Sequence, residues 1–424
     1  MSYRNRLIES SLQDKLDAMG ALLIEGPKAC GKTTTAEQFA KSKLYMDDPE
    51  QIEQNLQMAS TNIKKLLQGA TPRLIDEWQL APQLWDAIRF EVDHRGGEGL
   101  FILTGSAVPA DVSRISHSGA GRFGWITMRT MSLWESGDSS GEVSLSALFR
   151  GEHDVWASHD TTIDQLAYLI CRGGWPRAVM ARSERSALLQ VGEYYHAITR
   201  SDISRVDNVK RNAERVQRLM RSYSRYQGTQ VAATAIMSDL SANEKTDISL
   251  VTIEGYLSAL RKIFIIEDLP AWNPNLRSRT AIRTSDTRYF ADSSIATTAL
   301  GIGPEDHVID LRTFGLFFET LAIHDLRIYA ETIGGSVYHY RDSNGLECDA
   351  VIHLRNGSYG LVEIKLGGDR LIEEGAGNLL KLRDRIDCEK MSKPAFLMVL
   401  CGVAPFAYRR RDDVLIVPVG CLRD

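Results

Sequence analysis

The stretch ALLIEGPKACGKTTTAEQFA, residues 21–40, constrains the fold more than any other part of the chain. Ala21 to Glu25 are apolar enough for a short buried strand, which runs directly into G-x-x-x-x-G-K-T and then into an amphipathic helical pattern. Strand, glycine loop and helix in that order build a phosphate cradle. Gly26 and Gly31 let the backbone curl so that successive N–H groups face one point, and the helix start adds its partial positive charge. The nucleotide-contact candidates are Gly26, Pro27, Lys28, Ala29, Cys30, Gly31, Lys32, Thr33 and Thr34. Lys32 can reach the β- and γ-phosphates of ATP, and the Thr33 hydroxyl suits Mg2+. Cys30 reads as a small filler residue.

A loop of this kind needs an acid at the end of a neighbouring parallel strand. TPRLIDEWQLAP supplies one: Arg73, Leu74 and Ile75 form a short strand, then Asp76 and Glu77 follow. Asp76 is placed to hold Mg2+ through water and Glu77 to polarise the attacking water. The next strand, GLFILTGSA, stays apolar until Thr104, Gly105 and Ser106, small polar groups suited to contact the γ-phosphate. SGAGRFGWITMRTMSLWE then offers Arg122 in a glycine-rich turn and Arg129 beyond it. Two roles fit Arg122 equally: stabilising phosphoryl-transfer charge, in its own subunit or a neighbour, and fixing a surface loop.

GPKACGKT, LIDEWQ, LTGSA and the Gly-Arg turn, in this order, resemble the AAA-type P-loop ATPases of bacteria and archaea, in which a C-terminal nuclease-fold domain of undefined function commonly follows. YLICRGGWPRAV, residues 168–179, is similar to the GG-x-P segment of that family's helical lid, and the resemblance places Pro176 against the nucleotide base. Arg200-Ser201-Asp202-Ile203 is similar to a short R-x-D-I signature of the family, for which the residues themselves suggest no role. Lys28 departs from the arginine usual at its position, which keeps charge but loses a bidentate contact. The insert SGDSSGEVSLSALFRGEHD has no counterpart. The class commonly completes its site with an arginine from the next subunit, which implies a homo-oligomer, a hexamer being one form.

At 424 residues the chain exceeds one ordinary core. The fold expected is α/β: a P-loop AAA-type core over residues 1–155, a helical lid with a small winged-helix module over 156–275, and a C-terminal α/β restriction-nuclease-like domain over 276–424. The net charge of −5 argues against a wholly basic nucleic-acid coat and leaves local patches open. The N-terminus has no apolar signal core, and the longest apolar run, AFLMVLCGVAPFAY, is too short and broken to span a bilayer. Six scattered cysteines, at 30, 171, 348, 388, 401 and 421, lack paired metal-ligand spacing and read as reduced thiols. A cytoplasmic protein without a membrane partner is expected.

From residue 211 a helical wheel puts Arg211, Arg215, Arg218, Arg221 and Arg225 on one side and Val216, Leu219, Met220, Tyr223 and Tyr226 on the other. The arginine face fits a phosphate backbone and equally a solvated surface or a subunit interface. The following segment, 229–272, reads as two short helices, a turn, and a third helix opened by Thr252-Ile253-Glu254-Gly255-Tyr256, which resembles a winged helix-turn-helix. Glu254 at that position is poor chemistry for phosphates, so packing or protein contact suits the module better than DNA.

The C-terminal third reads as a strand at Arg288 to Ala291, a turn with a short helix, and a long amphipathic helix with Leu316, Phe317, Leu321 and Leu326 for a core. A hairpin turning at Asn344-Gly345 follows, then the strand YGLVEIKLG. Alternation puts Glu363 and Lys365 on one face, which Asp349 of the preceding strand shares. Asp349 followed by E-x-K resembles the PD-(D/E)XK nucleases, whose first-helix glutamate would here be Glu319. Glu319, Asp349 and Glu363 are then candidate ligands for a second Mg2+ or Mn2+, with Lys365 orienting the attacking water. An ATPase engine, an arginine-faced helix and a nuclease-like fold together suggest Mg-ATP-dependent action on branched or single-stranded DNA. A nucleotide-gated metal-dependent nuclease and an ATP-set scaffold switch for protein partners are the alternatives.

Overall fold

A computed structural model describes residues 3–107, 117–206, 209–243, 248–273, 285–343, 345–386 and 391–424. The chain folds as two compact units, each assembled from separate stretches of sequence. The first takes Met1–Thr130, Ile198–Asn212 and Leu257–Ile265; the second takes Met131–Ala197, Ala213–Tyr256 and Ile266–Asp424.

The first unit is built on five parallel strands: β1 (Ala21–Glu25), β2 (Ser42–Tyr45), β3 (Arg73–Asp76), β4 (Phe101–Gly105) and β5 (Phe123–Thr127), in the order β2-β3-β4-β1-β5. β4 is therefore inserted between the loop-bearing β1 and the acid-bearing β3. The central strands are near-continuous apolar runs because both faces of the sheet are covered. Leu22, Ile24, Leu74 and Ile102 point to one side, where they meet Ile8, Leu12, Leu16 and Ile126. Leu23, Ile75 and Leu103 point to the other, against Trp78, Trp85 and Ile88. Two-sided burial fixes the register, so the carboxyl ends of β1, β3 and β4 finish level, with Glu25 beside Gly105 and Asp76 beside Thr104.

The second unit contains β6 (Val143–Ser144), β7 (Ala157–Ser158), β8 (Gly335–Arg341), β9 (Glu347–Leu354), β10 (Tyr359–Gly367), β11 (Leu397–Val403), β12 (Phe406–Arg409), β13 (Val414–Pro418) and β14 (Leu422–Arg423). Seven of these form one mixed sheet in the order β7-β12-β13-β11-β10-β9-β8, and β14 pairs with β6. β10, β11 and β13 run parallel; β8, β9 and β10 form an antiparallel meander. Helix Asp369–Arg385 crosses from β10 to β11 and lays Ile372, Ala376, Leu379 and Leu382 on the sheet at the spacing of one helical face.

The β8–β9 hairpin and the strand 359–367 form as the alternation suggests. Asn344 lies outside the described residues, while Gly345 has a positive φ of 80° and its N–H bonds Asp342 O. The long C-terminal helix spans Leu311–Thr332 and buries Phe317, Leu321 and Leu326, but Leu316 is only partly buried. No strand forms at Arg288 to Ala291; isolated bridges join Thr287 to Leu269 and Phe290 to Ile266 instead. Among the described residues of 229–272 one helix, Ala233–Asn243, precedes the helix Leu250–Lys262, which starts two residues before Thr252. The helix expected from residue 211 is confined to Ala213–Ser224. No helix among the described residues is long and apolar enough to cross a membrane. Cys30, Cys171, Cys348, Cys401 and Cys421 are free and buried; Cys388 lies outside the described residues.

Candidate active site

The loop after β1 turns sharply because Gly26 holds φ at 149° with its α-carbon pressed against Met128; a Cβ there would lie 2.0 Å from the Met128 carbonyl oxygen. Gly31 is the N-cap of helix Lys32–Phe39, so the helix start faces the loop. Ala29 takes a left-handed φ of 63°, a conformation uncommon outside glycine. Lys32 is 6% exposed, and its ammonium donates to the carbonyls of Gly26 at 2.9 Å and Pro27 at 2.8 Å. A buried cation whose direct partners are two neutral carbonyls in a glycine-rich cradle suits a polyanionic ligand.

The acid strand meets this loop as expected. Thr33 Oγ1 donates to Asp76 Oδ1 at 2.8 Å, and the Thr104 hydroxyl, from the intervening β4, bonds the same oxygen. Thr104 thus holds the acid rather than presenting itself to a phosphate. Burial raises the Asp76 carboxyl above its ordinary range, against the Thr104 and Thr33 hydrogen bonds, which lower it. A hydroxyl and a carboxylate oxygen side by side are hard donors, and they fit Mg2+.

Glu77 follows in a left-handed conformation, φ 53°, that turns its carboxylate off the strand end. The Gln79 amide bonds its Oε2, and Ser106 Oγ donates to the same oxygen at 3.3 Å. Burial, reinforced by neighbouring Asp76, raises the Glu77 carboxyl above its ordinary range. Gln79 Oε1 is buried, has no partner among the described residues, and lies against Gly105.

Three supports of the loop were not apparent from the motif. Arg6, 6% exposed, donates to Cys30 O at 2.9 Å, Arg129 O at 2.9 Å and Thr130 O at 3.1 Å, tying the loop to the segment after β5. Tyr3 donates to Glu9 at 2.7 Å and accepts from the Thr35 hydroxyl at 3.1 Å. Asp202, in the R-S-D-I segment, lies 3.5 Å from Lys28 Nζ. Only the last carried a sequence signal. The first two depend on an N-terminal segment that the loop motif does not specify.

Other candidates lie as follows. Arg122 pairs with Asp93 at 2.8 Å and donates to Ala120 O at 3.1 Å, so the structure engages it in its loop. Pro176 opens the helix Pro176–Val179 in the second unit. Arg215, Arg218 and Arg221 are exposed on helix Ala213–Ser224, whose opposite face buries Val216, Leu219, Met220 and Tyr223. Arg211 precedes that helix and donates to Ile203 O at 2.8 Å; Arg225 follows it and grips both oxygens of Asp239 at 3.0 and 3.2 Å. Tyr226 is only partly buried.

In the C-terminal sheet Lys365 Nζ sits 2.7 Å from Glu363 and 3.3 Å from Asp349, and Asp349 Oδ2 also accepts the Ile364 N–H at 2.7 Å. Glu319 accepts the Tyr289 hydroxyl. Burial raises both Glu319 and Glu363 well above the ordinary carboxylate range, with Asp349 adding repulsion. Burial pulls the Lys365 ammonium down, but Asp349 and Glu363 outweigh it and hold it charged. Asp349, Glu363 and Lys365 form a lysine-centred ion-pair cluster, and Glu319 is held by Tyr289. Among the described residues no group of three or more His, Cys, Asp or Glu side chains is arranged to hold a metal. In this arrangement Lys365 bridges Asp349 and Glu363, two of the carboxylates expected to hold the second cation.

Residues 19–136 match the family model described as AAA domain. Residues 163–306 and 314–422 match two models described as domains of unknown function, DUF8612 and DUF4143. The chain is 24% identical over 367 residues to the uncharacterized protein Rv2008c of Mycobacterium tuberculosis, covering 86% of this chain and 74% of the relative; Mb2031c of Mycobacterium bovis matches equally. Among solved structures, the Walker-type ATPase PABY2304 of Pyrococcus abyssi is similar over 69% of this chain and 94% of its own, at 13% identity and a TM-score of 0.42. The Aeropyrum pernix ORC2 protein is similar over 72% and 91%, at 13% identity and a TM-score of 0.31. The loop after β1, the Asp76–Glu77 pair and the matched family model agree: residues 19–136 form an AAA-type P-loop ATPase domain.

Proposed function

We propose that the chain is a Mg-ATP-dependent ATPase that acts on DNA, branched or single-stranded, as a homo-oligomer. The observation that carries the ATPase part is the contact of Thr33 and Thr104 with one oxygen of Asp76, next to a buried Lys32 whose ammonium donates to the loop carbonyls of Gly26 and Pro27. Bound Mg2+ would neutralise phosphate charge, and Thr33 and Asp76 are the residues that would hold it. Lys32 exchanges its carbonyl partners for phosphate oxygens. Glu77 takes a proton from the attacking water as the water oxygen bonds the γ-phosphorus and the bond to the β-γ bridging oxygen breaks, leaving ADP.

The DNA part rests on the exposed arginine face of helix Ala213–Ser224, whose spacing suits a phosphate backbone. In this reading the C-terminal sheet with Asp349, Glu363 and Lys365 is a platform that grips the substrate, and no catalytic step is routed through a metal there.

ATP turnover of the wild type, Lys32→Ala and Glu77→Gln, with and without forked and single-stranded DNA, tests both parts. Both variants are expected to lose turnover, and DNA is expected to change the wild-type rate. Unchanged turnover in both variants ends the ATPase reading. Indifference to every DNA form ends the coupling, and nucleotide-dependent capture of a protein partner in its place identifies a scaffold switch.

A further inference from the structure

Lys28 stands at the third position of the phosphate loop, and its side chain is 56% exposed. Its ammonium lies 3.5 Å from Asp202 Oδ1, and Asp202 is 15% exposed, so the acid is far more confined than the cation. Ser201 Oγ also donates to Asp202 Oδ1, at 3.4 Å. Asp202 ends a π-helical turn, Ile198–Asp202, a wide and irregular geometry that concentrates at functional positions. The turn belongs to the ATPase unit, whereas the residues flanking 198–212 on either side belong to the second unit. Its chain is held locally by Arg211, which bonds Ile203 O at 2.8 Å and, through its own N–H, Ser204 Oγ at 3.0 Å.

In this structure each loop lysine has a protein partner: Lys32 holds loop carbonyls and Lys28 holds Asp202. A triphosphate entering the loop carries several negative charges and competes for both. Lys32 loses only neutral carbonyls, but Lys28 can reach phosphate only by leaving a carboxylate. We infer that Asp202 is a positioning residue that competes with ATP phosphate for Lys28, so that nucleotide entry releases the 198–205 turn. The inference rests on the ATPase reading and gives the R-S-D-I segment a role: it senses whether the loop is filled. The same geometry sets the size of the effect. Ion pairs this exposed are worth less than buried ones, so freeing Lys28 changes nucleotide affinity only about twofold to fivefold.

The test is a double-mutant cycle on the full chain with ATP·Mg as the probe, read by calorimetry and by amide hydrogen exchange over residues 198–205. Asp202→Asn is expected to tighten ATP binding about twofold to fivefold and to raise exchange of the turn without nucleotide. Lys28→Met is expected to weaken ATP binding and to remove the exchange response to ATP. In Lys28→Met/Asp202→Asn the gain from the asparagine disappears. The inference is overturned if Asp202→Asn leaves affinity unchanged or lowers it, if its effect persists in the Lys28→Met background, or if ATP leaves exchange of the wild-type turn unaltered. A wild type that binds no ATP at all is a distinct result, for it removes the ATPase reading and the competition with it.

Discussion

Gly26→Ala tests the loop geometry most directly. The added Cβ would fall 2.0 Å from the Met128 carbonyl oxygen, against a floor of 3.0 Å for real Cβ contacts, so the two backbones must part by about 1 Å. The neighbour is backbone and cannot swing aside. The separation falls where the Met128 N–H bonds Glu25 O at 2.7 Å, the contact that continues the β1–β5 pairing into the loop. Losing that bond costs about 1 kcal/mol. Holding alanine at φ 149° adds about 1–3 kcal/mol. The sum is about 2–4 kcal/mol. For a unit of this size that lowers the melting temperature by about 5–15 °C.

Gly121→Ala is the control, because its φ of 77° is also unfavourable to alanine but nothing lies within 4 Å of the added carbon. It should lose only the conformational part, about 1–2 kcal/mol. Urea unfolding of the two variants followed by the same probe gives the comparison, and ATP titration of Gly26→Ala should show binding weakened at least tenfold beyond the control. Equal destabilisation within about 0.5 kcal/mol, with ATP affinity retained, would refute the close-approach argument.

Arg6→Met keeps the side-chain bulk but strips three carbonyls, two of them buried, of the Arg6 donor; it should cost about 2–4 kcal/mol in denaturant unfolding and weaken ATP binding through the freed Cys30 carbonyl. Glu77→Gln should retain nucleotide while turnover falls about 10²–10⁴-fold. In the wild type the acid limb of the rate profile should lie above the ordinary glutamate range, since a base raised by burial is lost to protonation sooner as pH falls; that limb should vanish in the variant. The linkage sign for stability without nucleotide follows from the same raise: Asp76 and Glu77 contribute stability that is present below their ordinary range and lost as pH rises through their folded values, which melting curves of Glu77→Gln against the wild type over a pH series check. Replacing Arg215, Arg218 and Arg221 together by alanine should weaken single-strand binding and reduce the salt slope by about 2, from roughly 0.7 per phosphate contact.

The ATPase site was legible wherever local geometry dictates function. A strand, a glycine loop and a helix start must be contiguous to cradle phosphate, so Gly26 to Thr33 could be read directly. Asp76 and Glu77 were legible because a parallel strand must end beside that cradle. What the motif does not encode is how it is braced. Arg6 reaches the loop from the opposite end of the first helix, and Gln79 comes to bear on Glu77 only because Glu77 adopts a left-handed turn. Thr104, with Gly105 and Ser106, is expected from the sequence to meet the γ-phosphate from an adjacent strand, and β4 does lie between β1 and β3. Once there, its nearest oxygen is Asp76, and the hydroxyl goes to the acid.

Periodicity failed where helices end. The wheel ran from Arg211 to Arg225 as if one helix carried all five arginines, but the helix covers only Ala213–Ser224. Beyond its ends the side chains are no longer committed to the arginine face: Arg211 turns back to Ile203 O and Arg225 closes on Asp239. Arg211 and Arg225 thus hold local contacts, Arg225 while staying exposed, and Arg215, Arg218 and Arg221 are the exposed arginines on the helix itself, Arg218 with Glu214 at 3.8 Å. The C-terminal acids show the converse limit. Alternation correctly brings Asp349, Glu363 and Lys365 to one face, yet it cannot say whether carboxylates that share a face will share a cation or a lysine. With Glu363 2% exposed, an unpaired charge there would be costly, and the ammonium at 2.7 Å is the counter-charge already covalently present. A divalent ion would have to displace it against that attraction. One ammonium thus faces the carboxyls of Asp349 and Glu363 with Glu319 repelled nearby, whereas at the loop after β1 the geometry and the family match point the same way, and the ATP site carries the functional argument.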